Sequence, residues 1–349
     1  MPHIRVGVLI DSAGDAASAN DMMTEWLRRE IDLVRKSGRL TADVEIVHAY
    51  GLGLPAGNVE AVRRAFDSLL EQDVLLIVGP AIGDNALIAT DWMDEAKVPA
   101  INFAGAERAR SEYMFHLQVG GHEDESIIIA RHLKDSGVKR VGVVYDQSPI
   151  GTRHLAYLEH EARIVGLDIG ATRSLSPLAE NAAAEVAQVL DSKPDGFVYF
   201  GLGFSAPPVA RALTDRGWQG PRIMNTAGLR GYWGDFAKAC DGWIYVDMHS
   251  DHNRTLAALA EVAQPGALPF RTAVGYDMGR LVAEALARAP ELTREGVKAG
   301  LEQVKWLPAA EGEEGTLLGF GVHDRGALHG RYMVLRQWRD GRSTELRPA

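Results

Sequence analysis

Six residues in the second half of the chain, Gly201-Leu202-Gly203-Phe204-Ser205-Ala206, carry the spacing G-x-G-x-x-A. That spacing can cradle phosphate where a strand turns into a helix, because the glycines let the main chain approach and the helix start favours negative charge. Here the turn runs into Pro207-Pro208, and no acidic residue closes a following strand to hold a ribose. A tight turn lining a cleft fits better than a dinucleotide site. A nicotinamide-dependent enzyme using Gly201 to Ala206 is therefore the alternative reading.

His249 and His252 stand three apart beside Asp247 and Asp251, residue types that bind zinc. They lie in a loop-like stretch with no second cluster elsewhere, so a polar hinge segment is expected and no metal. No G-x-S-x-G elbow and no nucleophile paired with an evident base occurs. The expectation is a non-enzymatic protein without cofactor.

Main-chain groups offer another chemistry. Between Val74 and Glu107 the sequence reads strand, turn, helix, strand, turn. Val74 to Val78 and Val98 to Ile101 are short apolar runs of the kind buried in a parallel sheet. Both end in small residues, at Gly83 and at Ala104-Gly105-Ala106, where a small molecule can reach backbone N–H groups. From Asp84 to Glu95 the apolar residues recur at helical spacing, with Asp84 or Asn85 available as N-cap. Tyr276 and Asp277 open a further helix predicted over 272–289. They either start that helix, with Asp277 at its positive dipole end, or face a ligand.

The elements that must position these residues alternate along the chain. Strand Ile4 to Ile10, helix Asn20 to Arg35, strand Val44 to His48 and helix Val59 to Leu70 precede the stretch just described, with Asp11-Ser12-Ala13-Gly14 as the first turn. After Gly120-Gly121 a second set begins: helix Glu125 to Ser136, strand Arg140 to Tyr145, helix Thr152 to Val165, strand Leu167 to Ala171, helix Asn181 to Leu190 and strand Gly196 to Phe200. Helix Val209 to Arg216, strands Arg222 to Met224 and Gly242 to Val246, and helix Arg294 to Gln303 follow. The end is β-like, with strands at Leu317 to Phe320 and Arg331 to Trp338 and a tight turn at Asp340-Gly341. This alternation predicts an α/β chain of two lobes with doubly wound parallel sheets and a hinge near Gly120.

Composition narrows the partners. The 349 residues, 46% hydrophobic, fill two cores, and a formal charge of -10 argues against nucleic acid. The single cysteine, Cys240, excludes an intramolecular disulfide. No apolar run reaches the roughly 20 residues of a bilayer span, so no membrane insertion is expected. Strand-like sequence starts at Ile4, so the chain as it stands is expected to be cytoplasmic, or periplasmic or at the cell surface if a leader precedes it. Nothing in the sequence sets an oligomeric state.

The succession IRVGVLID, LLIVGP, VPAIN, VGVVYD, DGFVYFG and GYDMGRLV, closing with GTLLGFGVHDRGALHGRYMVLRQW, resembles the type I periplasmic-binding-protein family. The likeness is to its leucine/isoleucine/valine-binding and amide-sensing branch. It implies two Rossmann-like lobes joined by three crossovers, near Gly120, Met248 and Arg331, closing around a small molecule. The implied lobes are 1–120 with 249–330, and 121–248 with 331–349. It also implies a role as an ABC-transporter substrate-binding protein, or as a cytoplasmic ligand sensor, with an ABC permease or a regulator as partner.

By the same resemblance, the turn that offers a serine to a ligand carboxylate falls at Ile82-Gly83-Asp84, without the serine. The next turn falls at Ala104-Gly105-Ala106, without its hydroxyl. Aromatic positions fall at Ile150 and near Gly203-Phe204, and the acid that pairs a ligand ammonium falls at Thr226-Ala227. A buried ammonium without a partner costs several kcal/mol, so a less charged, partly apolar ligand is expected in place of an α-amino acid. Asp11, Gly83, Asp84, Asn85, Ala104, Gly105 and Ala106 of the first lobe are expected to face Ile150, Phe204, Thr226 and Ala227 of the second. Tyr276 and Asp277 are expected to close one side.

Overall fold

The computed structural model describes residues 2–12 and 16–346, with the backbone alone at 16–21. The chain divides into two compact units, Met1–Val119 with Met248–Tyr332 and Gly120–Asp247 with Met333–Ala349. In chain order the first unit opens with β1 (His3–Ile10), α1 (Ala16–Lys36), β2 (Asp43–Tyr50), α2 (Val59–Glu71), β3 (Leu76–Val78), α3 (Gly83–Ala96), β4 (Ala100–Asn102) and β5 (Met114–His116). The second unit has α4 (His122–Asp135), β6 (Arg140–Asp146), α5 (Pro149–Val165), β7 (Asp168–Leu175), α6 (Ala183–Leu190) and β8 (Gly196–Phe200). It continues through α7 (Ala206–Asp215), β9 (Arg222–Met224), a 3-10 helix (Thr226–Tyr232), α8 (Phe236–Ala239) and β10 (Ile244–Asp247). The chain returns to the first unit as α9 (Arg254–Leu259), α10 (Pro269–Arg288), α11 (Arg294–Glu302), β11 (Leu307–Pro308), β12 (Leu317–Leu318) and β13 (Leu328–His329). Strands β14 (Val334–Arg339) and β15 (Arg342–Glu345) rejoin the second.

Each unit is built on one parallel sheet. The first has the order β2-β1-β3-β4-β5. The second has the order β15-β14-β10-β9-β8-β6-β7, with β14 and β15 antiparallel. The predicted α/β class with doubly wound parallel sheets is the one observed. Its cause is visible in the strands: Gly196 to Phe200 and Leu76 to Val78 are buried at every position, as strands covered on both faces must be. Strand order reverses between β1 and β3 and again between β6 and β8. Such switch points open a crevice outside the carboxyl ends of the strands, where α/β sheets take ligands.

Helix α10 is the spine of the first unit. It packs on α1 closely enough that a Cβ on Gly279 would lie 2.7 Å from the Trp26 carbonyl oxygen. The hairpin at the end of the chain follows from Asp340-Gly341, whose φ angles of 50° and 72° are those of a type I′ turn.

Several boundaries differ from the sequence reading, each for a local reason. Helix α3 starts at Gly83 with Ile82 as N-cap and no side-chain cap, so Asp84 and Asn85 lie inside its first turn. Helix α10 starts at Pro269, which places Tyr276 and Asp277 two turns in, away from the positive end of the dipole. Helix α7 starts at Ala206, because Pro207 and Pro208 are tolerated in a first turn whose N–H groups have no intrahelical partner. Of the predicted turn at 11–14, Ala13 and Gly14 lie outside the described residues. Among the described residues no helix is long and apolar enough to cross a membrane.

Candidate functional site

In the first unit, Asp11 directly follows β1 and is buried. Its carboxylate accepts the N–H of Ala81 at 2.9 Å and of Ile82 at 3.0 Å, and the Asn85 side-chain amide at 2.8 Å. Burial still raises its pKa above the ordinary value, against these three donors. The Asn85 Oδ1 accepts the N–H of Leu54 at 3.0 Å, so this amide ties the turn after β3 to the segment after β2. The Asp11–Asn85 pair thereby fixes where α3 begins.

The small residues form the next part of the rim. Ala104 and Ala106 pack with Ala86 and Ala109 in one buried cluster, beside Leu87. Their size lets the turn after β4 lie against the start of α3. Gly105 is half-buried between them, and a Cβ there would meet only the Val119 carbonyl, at 3.1 Å. Gly83 and Asp84 are buried in the first turn of α3. Tyr276 stacks edge-on to Trp26 at 5.7 Å and its hydroxyl accepts from Arg280 at 2.6 Å. Asp277 is fully buried, and its carboxylate accepts the N–H of Ala310 at 2.8 Å and of Glu311 at 2.9 Å. Burial pushes its pKa up to about 7.

In the second unit the carboxyl ends of β6, β8 and β9 carry a tighter group. Asp146, the last residue of β6, is buried and accepts the Ser205 hydroxyl at 2.6 Å, the Tyr199 hydroxyl at 2.8 Å and the Leu202 N–H at 2.9 Å. Desolvation by burial pushes its pKa up to about 6 in spite of those donors. Arg230, on the 3-10 helix after β9, donates from Nε to the Leu202 carbonyl at 2.5 Å. Its guanidinium carbon lies 3.4 Å from the centre of the Phe204 ring. Burial lowers its pKa to about 10.

Thr226 and Ala227 open the 3-10 helix, where the resemblance places an acid. An acid does stand there, but it comes from α4: Glu125 accepts the Thr226 N–H at 2.6 Å and the Gly121 N–H at 2.9 Å, and is fully buried. Ile150 is buried in the first turn of α5. Beside it, a cavity of about 540 Å³ is lined by Tyr145, Gln147, Ser148, Thr152, Arg153 and Ser174.

This geometry redefines the Gly201 to Ala206 turn. The Leu202 N–H, which a phosphate would need, already bonds to Asp146, and a Cβ on Gly201 would collide with that carboxylate and with the Tyr199 hydroxyl. Glycine is required by the close approach of an acidic side chain, a group that repels phosphate. His249 is buried and His252 exposed, and among the described residues no three His, Cys, Asp or Glu side chains gather as metal ligands would.

Within each unit, the expected residues that lie at the switch point are Asp11, Gly83, Asp84 and Asn85 in the first and Phe204 in the second, with Ala104 to Ala106 after β4 and Thr226 and Ala227 after β9 on the neighbouring strand ends. Tyr276 and Asp277 lie on α10, against Trp26 and the 309–311 segment. Sequence reasoning missed Asp146, Glu125 and Arg230. The first two end a strand or start a helix, a position that could have singled them out, whereas Arg230 gives no periodic signal.

Three solved structures illustrate the fold this chain shares. The periplasmic binding protein type 1 from Bordetella pertussis Tohama I is 16% identical with a TM-score of 0.82, over 99% of each chain. The leucine-binding protein LivK from Thermotoga maritima MSB8 is 16% identical with a TM-score of 0.80, over 99% of this chain and 98% of that one. An ABC-transporter solute-binding protein from R. palustris, solved with 4-hydroxybenzoate, is 16% identical with a TM-score of 0.77, over 99% of this chain and 96% of that one. No curated protein matches the sequence. The family model described as periplasmic binding protein matches residues 3–341, nearly the whole chain. The chain belongs to the periplasmic binding protein family, in its type I, leucine/isoleucine/valine-binding-like branch.

Proposed function

We propose that this protein is a non-enzymatic receptor that binds a small, partly apolar, weakly charged solute and delivers it to an ABC permease. Each unit contributes the residues at the carboxyl edge of its own sheet. From the first come Gly83, at the start of α3 where Asp11 and Asn85 hold the turn after β3 in place, and the small-residue turn from Ala104 to Ala106 packed beside it. From the second come Ile150, Phe204 and the Thr226-Ala227 start of the 3-10 helix. The observation that carries the reading is the chemistry of these edges. They supply turns and apolar faces at strand switch points, while three of their buried acids, Asp11, Asp146 and Glu125, are each already bonded by two or three donors of the protein itself.

An α-amino acid would bring an ammonium that has to compete with the protein's own donors for Asp11, Asp146 and Glu125, and leaving it unpaired would cost several kcal/mol. A partly apolar ligand avoids that cost, and the 4-hydroxybenzoate held by the R. palustris relative is of this kind. The test is a thermal-shift screen of the full chain against amino acids, aliphatic and aromatic acids, their amides, and NAD and NADP. A ligand that binds only the native state raises the melting temperature with its concentration. The reading predicts a saturable rise with a small organic solute. Stoichiometric binding of NAD or NADP would replace it with the enzyme alternative, and no rise with any solute would end it.

A further inference from the structure

Resting on that solute-binding reading, we propose that the ligand carries one carboxylate and no ammonium, and that the Arg230 guanidinium, stacked on Phe204, receives the carboxylate. The side chain is held as a receptor group would be. Its Nε donates to the Leu202 carbonyl at 2.5 Å, and its plane is set by the Phe204 ring 3.4 Å away. Among the described residues Nη1 and Nη2 have no hydrogen-bond partner, and no carboxylate lies within ion-pair distance. The nearest acid, Asp146, directs its oxygens to Ser205, Tyr199 and Leu202.

A guanidinium fixed in this way presents two parallel N–H donors, the fork that matches a carboxylate. The site also desolvates the cation enough to lower its pKa to about 10, so a planar anion gains more here than in water. Phe204 is 37% exposed and offers apolar surface beside the fork. The group stands at the carboxyl ends of β6, β8 and β9, where the strand order reverses. A purely structural strut would need only the Nε bond to Leu202. Fixing the plane while no described residue bonds either terminal nitrogen is the arrangement of a binding group.

The experiment uses matched pairs on the full chain by calorimetric titration: benzoate against benzamide, 4-methylpentanoate against 4-methylpentanamide, with leucine as the zwitterion. The acid of at least one pair is expected to bind tenfold or more tighter than its amide, and leucine no better than the amide. Arg230→Gln is expected to weaken the acid at least thirtyfold and leave the amide within threefold. Arg230→Lys, which keeps the charge and loses the fork, is expected to fall between. Should Arg230→Gln fail to fold, the acid-to-amide comparison on the unaltered protein decides alone. An amide that equals its acid, leucine as the tightest ligand, or an acid bound unchanged by Arg230→Gln would overturn the proposal and leave solute binding standing. A hit from the broad screen that bears no carboxylate would do the same. If no solute of that screen binds, both fall together.

Discussion

The Asn85 side-chain amide donates to the Asp11 carboxylate at 2.8 Å, and the same amide group accepts the N–H of Leu54 at 3.0 Å. One side chain therefore joins the ends of β1, β2 and β3 at the first switch point. A bond to a buried carboxylate is worth about 1.5–3 kcal/mol, more than an ordinary neutral hydrogen bond. Asn85→Ala is expected to lower the urea stability of the first unit by about 2 kcal/mol. An unchanged urea midpoint would show that the bond adds nothing to stability.

The contact of α1 with α10 sets up a contest of two small effects at Gly279. Replacing Gly279 by Ala gains about 1 kcal/mol of helix propensity. It also drives a Cβ to 2.7 Å from the Trp26 carbonyl oxygen, a backbone atom that yields little, and overpacking of this kind costs about 1–3 kcal/mol. A net destabilisation of about 1 kcal/mol is expected by chemical denaturation. A stabilised variant would mean that the two helices move apart freely.

Asp277 gives the first unit a pH dependence whose sign follows from burial. Its folded pKa is raised to about 7 from an ordinary value near 4, so the native state holds the proton more tightly than the unfolded chain. Its contribution to stability is greatest below pH 4 and is lost as pH rises to about 7. Arg280, the cation that acts on it, and the Ala310 and Glu311 N–H groups oppose the shift without cancelling it. Urea midpoints of the unaltered protein and of Asp277→Asn should therefore diverge between pH 4.5 and pH 8, by roughly 3 kcal/mol. Parallel curves would contradict the assignment.

Asp146 should tune the site of the second unit. Below pH 6 it is neutral, and above pH 6 its charge lies beside Arg230. The other titratable group facing it, Tyr199, is held protonated by burial, its pKa raised well above the ordinary value. An anionic ligand on Arg230 would meet an added repulsion at the higher pH. Its affinity is expected to rise severalfold from pH 7.5 to pH 5.5, and Asp146→Asn should flatten that rise. Titrations at the two pH values measure it, and an affinity that falls on acidification would count against this placement of the ligand.

Much of the fold was legible because burial on both faces leaves unmistakable apolar runs, as in Ile4 to Ile10, Arg140 to Tyr145 and Gly196 to Phe200. Where tertiary bonds displaced local preference the reading slipped. Asn85 looked like a helix cap, yet Asp11 and Leu54 claim its amide, and Pro207-Pro208 looked like the end of a turn but opens α7. The site was legible only in its turns. Arg230 stands within GLRGYW, a stretch without period, and it gains meaning only when folding brings it to Leu202, Phe204 and Asp146. Glu125 likewise reads as an ordinary acid near a helix start until it is found under Thr226.

The place of the protein in the cell separates delivery to a permease from sensing by a cytoplasmic regulator. If delivery to a permease is the role, fractionating cells that express the native gene finds the protein outside the cytoplasmic membrane, against the cytoplasmic expectation from the sequence as it stands. Recovery only in the cytoplasm, together with a ligand-dependent partner in a pull-down, would move the role to sensing.

The central claim, that this chain binds a solute without transforming it, is tested most directly by calorimetric titration with the best solute of the screen, followed by mass analysis of the recovered compound. One solute per chain, returned chemically unchanged, is the predicted result. A solute converted to product in the presence of the protein, or one that gives no binding heat at any concentration, would contradict it.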